Sequence, residues 1–245
     1  MSTTYITLVN ELLRRLNEVQ LDTAGENFGS VRGVHALAKD AINNSIREIL
    51  QHNQEWPFTI TTYTETLVSG TGLYSFQSDM SSVDWESFYL KRLEAAGNEP
   101  RTLHALSYAD YIRNHRPTDD TAGSGDYTAP LRVYKTQGTE FGVSPLPDQA
   151  YEVEYKYFSF PADLTLYTDT TIIPSRFRYV IIDGAMMYMM RFRSNDQQGE
   201  IHRAKFEKGI NDMRRLLLDE PDYLRSTMRV TTGSAYAPRS LSNGG

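Results

Sequence analysis

The side chains that could bind a metal are few in this sequence, and they lie far apart. The chain has 245 residues, and its histidines are His35, His52, His104, His115 and His202. No two of them occur at metal-ligand spacing, and the His-Glu-x-x-His motif is absent. The absence of cysteine excludes disulfides, thiolate-bound zinc and thiol catalysis. The sequence therefore predicts no metal site.

Two carboxylates on one predicted strand are the best candidates for acid–base chemistry. Glu152 and Glu154 belong to an alternating segment, so they share a strand face at a separation of about 7 Å. Such a pair, next to strand tyrosines that could stack on sugars, would suit a glycan-binding or glycan-hydrolysing module. A solvated strand face explains the same residues and is the favoured interpretation. The strand tyrosines are accordingly predicted on a half-buried sheet face.

The remaining candidates for chemistry are weaker. Asp119, Asp120 and Asp126 could hold calcium, but they lack the alternating ligand spacing of a calcium loop. The Gly-x4-Gly-Lys phosphate-binding motif and the Gly-x-Ser-x-Gly nucleophile motif are both absent. The sequence therefore predicts that the protein is not an enzyme and uses no cofactor.

Charge is spread unevenly along the chain. The total is −6; residues 175–220 carry nine Arg or Lys against seven Asp or Glu, and residues 221–245 carry three Arg against one Asp. Residues 1–174 must therefore carry −10. An acidic body argues against sequence-independent DNA binding, which needs a basic face. It is compatible with a passage through which DNA slides without being held. A soluble acidic surface explains the same charge and is the favoured interpretation.

Helices are predicted at the two ends of the chain. Apolar residues recur every three or four positions in four segments: Thr4–Val19, Val31–His52, a segment from Ser175 to Ser194, and Gln197–Leu218. Ser175 is the predicted N-cap of the third helix. The predicted buried stripe of the fourth helix consists of Ile201, Ala204, Phe206, Ile210, Met213, Leu216 and Leu217. Trp56 is predicted to fill the junction between the second helix and the region that follows.

The middle of the chain changes to the two-residue period of strands. Strands are predicted at Phe58–Leu67, Leu73–Phe76, Val83–Leu93, Leu131–Tyr134, Glu140–Val143 and Tyr151–Phe160. A short helix is predicted from Ser107 to about His115, followed by a polar loop over 117–125.

Together these patterns predict an α+β fold with three parts. Residues 1–56 and 172–220 form a four-helix bundle, residues 57–171 form an inserted antiparallel β domain, and residues 221–245 form a flexible, extended C-terminal tail. No run of ~18 apolar residues is present, so no membrane span is predicted.

A methionine cluster in the third helix is a candidate contact surface, because methionine adapts to irregular partners. At helical spacing such residues more often belong to the core. Met187 and Met190 are therefore predicted in the core, and Met186 and Met189 are predicted to contact another subunit.

Several segments in order carry a family resemblance. They are Tyr5–Leu16, Ala41–Ile49, Trp56–Phe58, Tyr74 after a glycine turn, Val143–Asp148, Tyr151–Tyr157 and Leu164–Phe177. In this order they resemble the head-to-tail adaptor proteins of short-tailed phages, the connector or tail tubular protein A type. The resemblance covers about residues 4–220.

The resemblance implies a structural virion protein, assembled in the host cytoplasm and placed in the neck of the tail. Such adaptors form a homo-oligomeric ring, of twelve subunits by this resemblance. The ring joins the portal protein to tail nozzle or fibre proteins and surrounds the DNA exit channel. A stopper or nozzle ring elsewhere in the tail is the alternative within the same class.

The resemblance also implies a role for the C-terminal tail, because such extensions dock on the portal in some adaptors. The portal-binding residues predicted on this basis are Arg225, Met228, Arg229, Tyr236 and Arg239. They would become ordered on binding.

Overall fold

The computed structural model describes residues 3–22, 27–53, 55–92, 97, 99–136 and 138–218. The described residues form an α+β fold, as predicted. The α-helices are α1 Tyr5–Arg15, α2 Val34–His52, α3 Tyr108–Asn114, α4 Arg116–Thr121, α5 Arg178–Phe192 and α6 Asp196–Leu217. The strands are β1 Ile60–Leu67, β2 Leu73–Ser75, β3 Met80–Leu90, β4 Arg101–Thr102, β5 His104–Leu106, β6 Arg132–Lys135, β7 Glu140–Ser144 and β8 Tyr151–Ser159.

The four long helices form where predicted, but they are shorter at several ends. α1 stops at Arg15 because Asn17 takes a φ of 56°, in the left-handed region that ends helices. α2 starts at Val34 after Gly33, whose φ is 61°. Ser175 is not the N-cap of α5, because a 3₁₀ turn over Ser175–Phe177 precedes that helix.

One hydrophobic core joins the four long helices. α5 packs against α1, α2 and α6, and α1 packs against α2. The core takes Leu12 from α1, Ile42 from α2, Ile181 from α5 and Phe206 from α6. A shared core is therefore observed, whereas the four-helix bundle as a packing geometry stays a prediction. Among the described helices, none is long and apolar enough to cross a bilayer.

The middle of the chain folds into a β-sandwich with its own core. One sheet has the order β1-β8-β3-β4 and the other β2-β7-β6-β5. Phe88 and Tyr155 from the first sheet contact Phe141 of the second, with ring centroids 5.2 and 5.5 Å apart. The aromatic side chains that face inward from both sheets therefore form a second core.

The second sheet is not wholly antiparallel, which differs from the prediction. β5 and β6 pair in parallel, with His104 opposite Arg132. Parallel neighbours need a long crossover connection, and α3 and α4 supply it. α3 begins as predicted, since the Ser107 hydroxyl accepts a hydrogen bond from the Asp110 amide at 3.1 Å. α4 was predicted as loop.

After β8 the chain runs back along the helices as residues 160–173, which we call the return segment. The amide of Tyr5 donates to the carbonyl of Asp169 at 2.7 Å. The Asn43 side chain donates to the Leu164 carbonyl at 3.0 Å and accepts from its amide at 3.2 Å. Arg47 pairs with Asp163. The return segment therefore lies on α1 and α2. The domain limits 1–56 and 172–220, 57–171 and 221–245 stay predictions.

Candidate functional site

The histidines lie in separate places. The ring of His35 lies 2.9 Å through Nε2 from the Val19 carbonyl, and His202 lies 3.4 Å through Nδ1 from Asp183. In the described part of the chain, no three His, Asp or Glu side chains are placed to hold a metal ion.

Two of the three acidic residues considered for calcium have other partners. Asp120 lies 3.2 Å from the Arg116 guanidinium within α4. Asp126 accepts a hydrogen bond from the Gly123 amide at 3.0 Å. These contacts are those of an exposed helix and a turn, and the three carboxylates do not converge on one point.

The tyrosines that would stack on sugars in the glycan-binding alternative are not accessible in the structure. Tyr151, Tyr155 and Tyr157 are buried, because the second sheet covers the face of β8 on which they lie. They were predicted to be half-buried. Glu154 lies on the opposite face, 3.1 Å from the Lys91 ammonium. Buried rings cannot stack on a sugar, and an ion pair on a polar strand face explains Glu154.

Burial also keeps several tyrosines neutral. Burial, followed by the charge of Glu65, raises the pKa of Tyr155. Burial and a hydrogen bond to the Glu48 carboxylate raise the pKa of Tyr188 to about 12. The ring of Tyr111 stacks on Tyr134 with centroids 3.6 Å apart. These phenols act as packing groups rather than as acids near neutral pH.

The structure does not support the predicted subunit contact through methionine. Met186 and Met189 are 4% and 1% exposed and belong to the helical core. α5 is buried on most of its circumference, since α1, α2 and α6 all pack against it. Both methionines therefore pack inside the protomer. Met187 is buried as predicted, and Met190 is half-buried against the core.

Helix α6 presents a surface that the sequence pattern misassigned. Phe206, Ile210 and Met213 are buried, as predicted, but Ile201 and Leu216 are 44% and 70% exposed. Because α6 packs principally on α5, only one stripe of its residues is buried. We call the opposite stripe the outer face of α6; its residues are Ile201, Ala204, Lys205, Lys208 and Arg215.

A second surface lies on the other side of the helices. A cleft of about 450 Å³ separates α2 from the return segment. Its apolar lining includes Ile46, Leu50 and Phe160, and its polar lining includes Asp163 and Asp169. We call it the acidic cleft. The sequence of Leu164–Phe177 does not predict this surface, because the burial of these residues depends on where the return segment packs.

A half-buried ion network ties three helices together near these surfaces. Glu11 of α1 lies 3.1 Å from both Arg15 and Arg178. Asp183 of α5 lies 3.6 Å from Arg15 and 3.4 Å from His202 of α6. The network orients α1 and α6 on α5.

The residues predicted to bind the portal cannot be placed. Arg225, Met228, Arg229, Tyr236 and Arg239 all lie outside the described residues. Their role stays a prediction.

Comparison with known proteins gives one family. The model of the SU10 adaptor protein family matches residues 3–232, nearly the whole chain. No curated protein matches the chain. The family match confirms the resemblance drawn from the ordered segments, at the level of a phage structural adaptor and virion component. The chain therefore belongs to the SU10 adaptor protein family.

Proposed function

We propose that this adaptor forms a ring in the neck of the virion that joins the portal to the tail and surrounds the DNA exit channel. The observation that carries the proposal is the family match over residues 3–232. The two separate cores add support, because they give each subunit two bodies that can meet different neighbours. The ring has twelve copies in this proposal.

The helical body forms the ring wall, and the β-sandwich faces the tail nozzle or fibre proteins. The two bodies meet at Trp56, which is fully buried in the helical core and stacks on Phe58 with ring centroids 5.5 Å apart. At the same junction the Ser159 hydroxyl donates to the Thr59 carbonyl at 3.1 Å. A fixed junction suits a part that must hold two neighbours in one orientation.

DNA passes through the ring without specific binding in this proposal. The net charge of −10 on residues 1–174 supports this, because an acidic wall does not attract phosphates. Salt-dependent affinity of the assembled ring for double-stranded DNA would count against it.

The C-terminal tail docks on the portal through Arg225, Met228, Arg229, Tyr236 and Arg239. Deletion of residues 227–245 should abolish capture of the portal by the adaptor in a pull-down. Normal capture by the deleted chain would refute this role of the tail.

The position in the virion has a direct test. Electron microscopy of phage particles that carry a labelled copy of the chain should place the label at the neck, below the portal vertex. A label on tail fibres or inside the capsid would refute the proposal. A label lower in the tail would favour the stopper or nozzle alternative.

A further inference from the structure

The outer face of α6 is not covered by any described residue, and it has both apolar and basic character. Ile201, Lys205, Lys208 and Arg215 follow at spacings of four, three and seven residues, which places them on one side of the helix. All four are exposed, and no ion pair joins Lys205, Lys208 or Arg215 to another described residue. Half-buried Asp212 follows Lys208 by four residues and Lys205 by seven, so this acidic residue lies on the same side of the helix.

Two cations beside the outer face of α6 are already neutralised. Arg203 lies 2.8 Å from Glu207 and 3.7 Å from Glu200, and Arg191 of α5 lies 3.1 Å from Glu200. Lys205, Lys208 and Arg215 of the outer face therefore keep their positive charge, although half-buried Arg214, on another side of α6, also has no ion pair with a described residue.

The acidic cleft has the complementary character. Asp163 and Asp169 line the cleft, and after burial the charges of Asp40, Asp163 and Asp169 raise the pKa of the Tyr5 phenol. The amides of Thr165 and Leu166 donate to the Asp169 carboxylate at 2.7 Å each and lower its pKa, so Asp169 stays ionised. Arg47 also lines the cleft and neutralises Asp163, so the negative charge that remains in the lining is that of Asp169.

Apolar side chains accompany this negative charge. Leu166 is 61% exposed on the return segment, and Ile172 is 36% exposed at the cleft. The cleft floor is apolar, since Ile46 and Leu50 are 8% and 4% exposed. An apolar side chain could therefore contact the apolar floor of the cleft, while lysines beside it pair with the acidic residues.

The two surfaces lie on opposite sides of the helical body. Ser45 of α2 faces α5, where its hydroxyl donates to the Ile181 carbonyl at 2.8 Å. Asn43, two residues away and thus about 200° around the helix, holds the return segment. Because α6 packs on α5, one protomer cannot bring its own outer face to its own cleft.

We propose that the outer face of α6 of one copy docks on the acidic cleft of the next copy, with Ile201 entering the cleft and Lys205 and Lys208 facing Asp40 and Asp169. Two different faces on each subunit make a heterologous contact, which closes into a ring when the rotation permits. This inference rests on the proposed ring and names its subunit contact.

Because the chain has no cysteine, introduced cysteines are its only thiols, and disulfide cross-linking can test the contact. Ile201→Cys and Leu166→Cys are introduced into the full-length chain, singly and together, and oxidised in the free protein at high concentration and in phage particles. The mixed single variants should give a heterodimer, and the double variant should give a ladder of multimers. Ile201→Cys with Thr118→Cys, at an exposed position of α4, is the control pair and should give neither.

A charge exchange tests the same contact without a covalent bond. Lys205→Glu with Lys208→Glu should weaken association by about tenfold or more, because like charges would then face each other. Asp40→Lys should weaken it as well, and the three changes together should restore part of the loss. Unchanged thermal unfolding of each variant shows that the fold is kept.

The outcomes separate this contact from the ring itself. Particles that contain the chain at the neck but give no 201–166 cross-link would overturn the contact and leave the proposed function intact. Homodimers of Ile201→Cys alone would show a two-fold contact and would also overturn it. Slow reaction of that thiol in the dilute monomer would show that another segment of the same chain covers α6, with the same consequence. Absence of the chain from particles would refute the proposed function, and the free-protein ladder would then decide the contact.

Discussion

The indole Nε1 of Trp56 donates a hydrogen bond to the carbonyl of Ile49 at a distance of 2.9 Å. This bond fixes the last turns of α2 to the residue at which the chain enters the β-sandwich. Trp56 is fully buried, so Trp56→Ala should lower the free energy of unfolding by ~3–5 kcal/mol through the cavity it leaves. Urea unfolding followed by circular dichroism measures the loss.

The other tryptophan provides the matched control for this prediction. Trp85 is half-buried on β3, where it stacks on Phe88 with centroids 5.6 Å apart. Trp85→Phe keeps an aromatic ring there and should cost less than ~1.5 kcal/mol. A Trp56→Ala variant as stable as the wild type would contradict the role of Trp56 at the junction.

Gly184 marks the closest approach of three helices. A Cβ at this position would lie 2.3 Å from the Ser45 hydroxyl and 2.7 Å from the Phe206 ring. Gly184→Ala should therefore destabilise the protein by about 1–3 kcal/mol, in spite of the better helix propensity of alanine. Thermal unfolding measures the effect.

Gly199 in α6 is the matched control for Gly184. A Cβ there meets the flexible Arg191 side chain at 3.3 Å. Gly199→Ala should be neutral or stabilising by up to ~1 kcal/mol. Equal effects of the two substitutions would show that α2, α5 and α6 are not packed as closely as described.

Asp183 couples α1 to α6 through its two partners. Asp183→Asn leaves His202 without its carboxylate and leaves Arg15 with Glu11 alone, in surroundings where Asp183 and His202 are each only 14% exposed. We expect a loss of ~1–2 kcal/mol, more than for a surface pair. Asp120→Asn, which removes the exposed partner of Arg116, should change stability by less than ~0.5 kcal/mol. Chemical denaturation of both variants provides the comparison, and a larger effect at Asp120 would count against the network.

Stability should fall at alkaline pH because of the buried tyrosines. The pKa of Tyr188 rises to about 12 in the folded chain, whereas an unfolded tyrosine titrates near its ordinary value of 10.0. Above pH 10 the unfolded state therefore binds fewer protons than the folded state, and the free energy of unfolding decreases as pH rises. Urea unfolding between pH 8 and about pH 12 measures this slope.

Tyr188→Phe should make that decrease shallower, because one phenol no longer titrates differently in the two states. Tyr89→Phe, at an exposed position of β3, is the control and should leave the slope unchanged. A decrease that is identical in both variants would assign the alkaline effect to other groups.

The sequence predicted most elements where a single strong pattern was present. Leu8 and Leu12 of α1 lie on a stripe that can only be buried as a helix, and Tyr151–Tyr157 alternates as only a strand does. The Ser107 cap was also predictable, because its hydrogen bond spans three residues. The fold class followed from these local patterns.

Positions that depend on neighbours remote in sequence were predicted wrongly. Met186 and Met189 are buried because three helices surround α5. Ile201 is exposed because α6 packs principally on one helix. Hydrophobicity alone cannot distinguish these cases, since the number of packing partners is not a local property.

The family and the absence of recognisable catalytic motifs could be predicted from the sequence, because the order and spacing of residues are properties of the sequence itself. The parallel pairing of β5 with β6, the burial of the strand tyrosines between two sheets and the opposite placement of the α6 outer face and the acidic cleft were decided only by tertiary structure. Each of these features depends on long-range packing. A charged residue can join an interface only when its neighbours in space leave it unpaired, and an apolar residue only when they leave it exposed.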